Sequence, residues 1–270
     1  MAAVDAMNVS QAPRGPDGAG IHQHGRVALG QRRLKIIDLS ERAEQPMTDP
    51  VLGLTVVFNG CIYNYRELRE ELRALGYAFF SDGDTEVVLK AFHAWRDRAP
   101  ERLHGMFAFA VAERDTGRVT LARDRLGIKP LYYAEGPGRL RFASTLPALL
   151  AAGDVDTAID PVALNHYMSF HAVVPPPRTI LKGVRKLGPA TVRTIEPDGR
   201  AHERVYWSLS FERGAADIQK SAADWGEELL AGLRLAVARR RIADVPVGVL
   251  LSGGVDSSLI TGLLAESGHA

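Results

Sequence analysis

Seven residues near the C-terminal end, SGGVDSS at 252–258, have the composition of a loop that holds phosphate. The apolar run VGVLL at 247–251 precedes them and reads as a buried strand ending at Leu251. Gly253 and Gly254 follow Ser252, then come Asp256 and the hydroxyl pair Ser257 and Ser258. Leu259, Ile260, Leu263 and Leu264 recur at helical spacing. Strand, glycine loop and helix in that order let backbone N–H groups approach an anion, and the helix N-terminus adds partial positive charge. No lysine follows the second glycine, so this is not the G-x-x-x-x-G-K-[ST] loop. The competing reading is a plain glycine turn of a parallel α/β unit. The only thiol, Cys61, lies inside the chain without a free amine and reads as a packed thiol. A single cysteine excludes an internal disulfide framework and fits a reducing compartment, and no Cys/His cluster has zinc-ligand spacing.

The elements that must position these groups follow from periodicity. Strand signals lie at 27–29, 34–37, 54–58, 106–112, 119–122, 131–134 and 140–143. Asp115-Thr116-Gly117 and Gly136-Pro137-Gly138 sit between pairs of them as hairpin turns. Asn59-Gly60 taken alone is another turn signal. Two helices are expected at 65–75, stopped by Gly76, and at 85–95, with Asp84 as N-cap and Val88, Leu89, Phe92 and Trp95 on one face. Three consecutive prolines at 175–177 mark a rigid crossing, and 211–221 reads as a polar linker. A helix at 225–241 should turn Leu229, Leu230, Leu233 and Val237 inward, with Arg239, Arg240 and Arg241 complementing its dipole. The resulting fold class is α+β, with antiparallel sheets and helices first and the opening of a parallel α/β unit after them.

Taken together, six further motifs become legible: RGPD at 14–17, QRRL at 31–34, NGCIYNYREL at 59–68, DGDTEV at 82–87, GMFAFA at 105–110 and RDRLGIKPLYY at 123–133. Their order resembles that of class II glutamine amidotransferases, and SGGVDSS resembles the pyrophosphate loop of ATP pyrophosphatases. The chain therefore looks like the front part of a glutamine-hydrolysing asparagine synthetase. Within that family its wording is most similar to N-acetylglutaminylglutamine amidotransferase. The resemblance implies an Ntn-type glutaminase domain of two stacked antiparallel sheets over 1–210. The beginning of an ATP-pyrophosphatase domain should occupy 211–270. It further implies that Arg33 holds the glutamine carboxylate with its guanidinium fork, and Asp84 holds the ammonium. Asn59 and Gly60 form the oxyanion hole. Leu251, Ser252, Gly253, Gly254, Ser257 and Ser258 contact ATP or pyrophosphate, and Asp256 contacts Mg²⁺. RGPD and RDRLGIKPLYY are read as structural.

The sequence departs from the family at its start. The family's nucleophile is an N-terminal cysteine whose own amine is the general base. Here Met1 is followed by Ala2, and no cysteine precedes Arg14. The expectation is a chain without that nucleophile, without the fold's first strand and with a truncated second domain. Two alternatives stand beside amidotransferase activity: a β-lactam-synthetase-like ligase without glutaminase activity, and a non-catalytic glutamine-binding fragment. The expected partners are glutamine, ATP and a carboxylate acceptor, and a homodimer is compatible with the family. Net charge is +1, which offers no nucleic-acid or membrane surface. Apolar runs such as 146–152 are too short to span a bilayer, and no secretory signal is visible, which points to the cytoplasm.

Overall fold

The computed structural model describes residues 1–268, in a unit at Met1–Ser208 and a second that begins at Leu209. In chain order the first unit contains α1 (Ala2–Ser10), β1 (Gly18–His24), β2 (Val27–Arg33), β3 (Met47–Asp49), β4 (Leu54–Ile62), α2 (Tyr65–Ala74), α3 (Asp84–Trp95), α4 (Ala99–Arg102), β5 (Gly105–Glu113) and β6 (Val119–Arg123). It continues with β7 (Tyr132–Gly136), β8 (Arg139–Ala143), α5 (Leu146–Ala151), α6 (Pro161–Ser169), β9 (Arg185–Lys186), β10 (Thr191–Ile195) and β11 (Ala201–Val205).

The strands form a six-stranded sheet in the order β11-β10-β6-β5-β4-β3, a pair β1-β2, and a three-stranded sheet β8-β7-β9. Every neighbouring pair is antiparallel, and β4 pairs β5 along their whole lengths. The strand alternation divides the large sheet into two apolar faces. Val57, Ala108, Ala110 and Leu121 pack with Leu29 of β2 and with Leu131 and Tyr133 at β7. The opposite face carries Val56, Phe107, Phe109 and Val111, all buried, and α3 packs on β4. The turn at 115–117 closes with Gly117 at φ +69°, and Gly138 at φ +66° closes the β7–β8 hairpin.

One expectation in this unit is corrected, and one local turn signal is overridden. Residues 34–37 form no strand, because Arg33 draws the backbone carbonyls of Ile37, Asp38 and Ser40 onto its guanidinium; Leu34 is left 55% exposed. Asn59-Gly60 is no turn but lies within β4, paired with Ala108 and Phe107.

The second unit holds α7 (Ala215–Ile218), α8 (Ala222–Arg240) and α9 (Val255–Glu266). Ser221 caps α8: its Oγ accepts from Asp224 N–H while the Asp224 carboxylate accepts from Ser221 N–H at 2.8 Å. Residues 247–251 form no strand, contrary to expectation. No described segment lies beside them to complete a hydrogen-bonded ladder, and Leu250 is 94% exposed. On α8 the inward face is narrower than its periodicity predicts. Val237 is buried, Leu230 and Leu233 are half-buried, and Leu229 is exposed, because within this unit α8 packs chiefly on α9. Among the described residues no helix is long and apolar enough to cross a membrane.

Candidate functional site

The expected glutamine-binding residues gather at the end of β4 where α3 begins. Gly60 is required by close packing: a Cβ there would lie 2.3 Å from the Met106 carbonyl oxygen and 2.8 Å from Phe107 Cα. The two backbones meet without an intervening side chain, which fixes the strand that carries Asn59. The Asn59 amide donates from Nδ2 to Ser144 Oγ at 3.2 Å.

Asp84 enters from α3. It is the first helical residue, with Gly83 as N-cap, so the expected N-cap role is corrected. Its carboxylate instead accepts the Ile62 N–H at 3.0 Å, two residues beyond Gly60. Burial pushes the Asp84 carboxyl up to about 6, against the Ile62 N–H, the N–H groups of its own helix start and the positive charge of Arg33. No ion pair with Asp84 occurs among the described residues, so a buried carboxylate is left without a cation in contact.

Arg33 lies close enough for its charge to act on Asp84, but its fork faces the 37–40 loop. Nη1 donates to Ser40 O at 3.0 Å, and Nη2 donates to the carbonyls of Ile37 and Asp38. As it stands, Arg33 holds that loop, and its Nε and one Nη1 hydrogen make no hydrogen bond among the described residues.

Several residues that build this corner were not singled out by the motifs. The Asp38 carboxylate accepts from Ser40 N–H at 3.1 Å and from Asp82 N–H at 2.8 Å, joining the 37–40 loop to the start of α3. Arg69 of α2 donates to the carbonyls of Ser81 at 2.6 Å and Gly83 at 2.7 Å. Glu86, fully buried, accepts from Ser81 N–H and Oγ, both at 2.7 Å, and pairs with Lys90 at 3.2 Å. The sequence offered only the Asp-x-Ser spacing of Asp38 and Ser40, a local turn signal. Glu86 pairs with Lys90 at i+4, a local helix spacing, whereas the partners of Arg69 lie twelve and fourteen residues away and leave no local pattern.

Cys61 is buried beside this corner. Burial first, then the nearby Asp84 charge, push its thiol up to about 12, against a small opposing effect of Lys129. The thiol is protonated at neutral pH, as expected of a packed cysteine.

The second place is the SGGVDSS loop. Gly253 stands at φ +83°, and nothing lies within 4 Å of where its Cβ would be. Gly254 is the N-cap of α9. Ser257 Oγ donates to the Gly254 carbonyl at 3.1 Å and lies 3.0 Å from Ser252 Oγ, and Ser252 N–H donates to Ser257 Oγ at 3.3 Å. Ser257 is half-buried; Leu251, Ser252, Asp256 and Ser258 are exposed. The loop is folded by its own hydroxyls, and the first-turn N–H groups of α9 open onto free space.

Residues 1–207 match the glutamine amidotransferase domain family, and residues 228–270 match the asparagine synthase family. Asparagine synthetase [glutamine-hydrolyzing] 1 of Bacillus subtilis is 38% identical over 263 residues, covering 97% of this chain and 40% of the relative. Asparagine synthetase [glutamine-hydrolyzing] 3 of the same organism is 34% identical over 268 residues, covering 98% and 42%. Amidase chry2 of Gibberella zeae is 32% identical over 257 residues, covering 94% and 37%. The chain spans about two fifths of the length of these relatives. Among solved structures, the glutamine phosphoribosylpyrophosphate amidotransferase of B. subtilis complexed with ADP and GMP has a TM-score of 0.55 at 16% identity. That alignment covers 98% of this chain and 61% of the other, and it identifies the fold as the Ntn type of glutamine amidotransferases. The chain therefore belongs to the glutamine amidotransferase domain family and runs on into the asparagine synthase family.

Proposed function

We propose that this chain is the glutamine-handling part of an ATP-dependent amidotransferase that converts a carboxylate to an amide with release of AMP and pyrophosphate, in the cytoplasm. The observation that carries the reading is Asp84: a buried carboxylate without a cation in contact, set beside Asn59 and Gly60. An α-ammonium group is the partner such a carboxylate lacks. With the ammonium on Asp84, the free Arg33 N–H groups take the substrate carboxylate. The carboxamide then extends toward Asn59, where an amide N–H₂ and the Gly60 N–H serve a developing oxyanion. Attack on the carboxamide requires a thiolate. Cys61, with its thiol at about 12 and its side chain buried, does not supply it. The chain as it stands should bind glutamine and release no glutamate above background.

The family implies ATP and Mg²⁺, and the SGGVDSS loop fits phosphate: Gly253 leaves its backbone open, and the first turn of α9 offers unpaired N–H groups. Ser252, Gly253, Gly254, Ser257 and Ser258 would hold the phosphates with the backbone at Leu251. Asp256, as a single carboxylate, would share Mg²⁺ with phosphate oxygens and water. ATP, when bound, supplies the leaving group that activates the acceptor carboxylate.

Calorimetric titration of glutamine tests the first part. Ammonium recognition needs the ionised Asp84, so binding should strengthen as pH rises through about 6 and level off above it. Asp84→Asn should bind at least about tenfold more weakly at pH 8 and lose the pH dependence. Equal binding by the variant at pH 8 would remove Asp84 from the reading.

A further inference from the structure

Residues 80–83 lead into α3 and belong to neither helix nor strand, so no ladder takes their backbone groups. Side chains take them instead. The Ser81 and Gly83 carbonyls accept from Arg69 of α2, and the Asp82 N–H donates to Asp38. Phe80 N–H and Ser81 N–H donate to the Glu86 carboxylate at 3.0 and 2.7 Å, together with Ser81 Oγ at 2.7 Å.

Glu86 is the third residue of α3, and Gly83 at the N-cap has no side chain to offer. A glutamate at that position ordinarily reaches back to the N–H of the cap residue. Glu86 reaches past the cap and grips the approach to the helix. Its carboxylate is fully buried, and Lys90, one turn on, lies 3.2 Å from it. Lys90 is also buried and lies 3.0 Å from Asp49, the last residue of β3, whose other oxygen accepts the Val51 and Leu52 N–H groups. The clasp is thereby anchored to an edge strand of the large sheet.

Asp84 and Glu86 are two residues apart, about 200° around a helix. They reach to opposite sides of the same turn: Asp84 to the Ile62 N–H of β4, Glu86 to the N–H groups of 80 and 81. A helix start held on one side only can roll about its axis; held on both sides it cannot. We propose that Glu86 is a positioning residue for the ammonium site: its grip on 80–81 fixes the roll of α3, and so the place from which Asp84 presents its carboxylate. What matters is the reach of the side chain, while Lys90 supplies the opposite charge that its burial requires. The inference rests on the reading of Asp84 as the partner of the substrate ammonium. The groups whose charge bears on Asp84 are Arg33 of β2 and Cys61 of β4, and Glu86 shares its helix.

The test uses the full chain with ¹³C-labelled aspartate and the variant Glu86→Asp, which keeps the charge and shortens the side chain. By NMR the Asp84 carboxyl should titrate at about 6 in the parent. In Glu86→Asp it should titrate at least about one pH unit lower, because the carboxyl gains water. Exchange of the Ile62 N–H should be faster by about tenfold or more. Glutamine, titrated calorimetrically at pH 8, should bind at least about tenfold more weakly. Glu86→Gln keeps the reach and an acceptor for Ser81, and should leave Ile62 exchange within about threefold of the parent. Leu149→Ala, fully buried in α5, should lower the urea midpoint without moving the Asp84 titration. An unchanged Asp84 midpoint and Ile62 exchange in Glu86→Asp, a shift equalled by Leu149→Ala, or a larger exchange effect from Glu86→Gln than from Glu86→Asp would each overturn the proposal. Should Glu86→Asp not fold, Ser81→Ala removes one contact of the clasp and decides the same question. Ile62 exchange should then rise by about threefold, and unchanged exchange would overturn the proposal. Failure of the parent to bind glutamine would instead overturn the reading of the site, and the titration and exchange would still decide whether Glu86 holds Asp84 in place.

Discussion

The Asp84 corner and the SGGVDSS loop are both candidate ligand sites, yet they are built in opposite ways. The corner is assembled from five separated stretches: β2, the 37–40 loop, β4, α2 and the start of α3. Its charged groups are buried and held by backbone donors and carbonyls from elsewhere. The loop is folded by contacts no more than five residues apart and remains exposed. Geometry at the corner is over-determined by the rest of the unit; at the loop it is set by seven residues. Substitutions should therefore cost far more at the first site than at the second.

The largest effect is expected at Arg69. Arg69→Ala strands the Ser81 and Gly83 carbonyls, at about 2 kcal/mol each, so chemical denaturation should report a loss of about 4 kcal/mol. A loss below about 1 kcal/mol would break the contrast between the sites. Gly60→Ala comes next. Its Cβ must displace the β5 backbone, and about 3 kcal/mol should disappear from the same measurement.

Asp84 gives a pH signature. Its native value of about 6 lies above the ordinary 3.8, so between these values the native state keeps a proton that the unfolded chain has released. The stability this contributes is complete below 3.8 and is lost as pH rises through about 6, amounting to about 3 kcal/mol at most. Asp84→Asn removes that slope. Urea midpoints of the two proteins should therefore diverge between pH 4 and pH 7, with the variant gaining relative to the parent. Parallel midpoints would mean that the carboxylate is not buried as described.

At the loop the expected changes are small. Gly253→Ala meets open space but keeps φ at +83°, a strain of about 1 kcal/mol. Ser252→Ala should shift stability by about 0.5 kcal/mol or less, because its contacts are exposed. A larger loss at either would show that the loop depends on more than its own residues.

The same contrast explains what could be read from the sequence. SGGVDSS is a local motif, and its turn and helix are visible in consecutive residues. The hairpins at 115–117 and 136–138 and the helices near 65 and 85 were legible for the same reason: period and turn chemistry are short-range. The motif order pointed to the Ntn fold, which the resemblance supplied and periodicity alone did not. What local composition did not reveal was set by particular side chains and by strand pairing. The 34–37 run has strand composition but loses its backbone to Arg33. Asn59-Gly60 has turn composition but is held in β4 by Ala108 and Phe107. Asp84 is spaced as an N-cap but bonds to Ile62 across the corner. Residues 247–251 have the composition of a buried strand and lack a neighbour to pair with among the described residues. Arg69 and Ser144 could be placed only once the chain was folded.

The burial of Cys61 has a practical consequence for chemistry performed on the protein from outside. It is the chain's only sulfhydryl, protonated and buried on β4, where Cys61 pairs with Met106 of β5. A maleimide or iodoacetamide reagent applied to the folded protein near neutral pH should find nothing to alkylate. Any cysteine placed on an exposed position becomes a unique handle without removal of the native one. The same reagent reports unfolding, because the thiol of Cys61 is exposed only when the sheet that carries it opens.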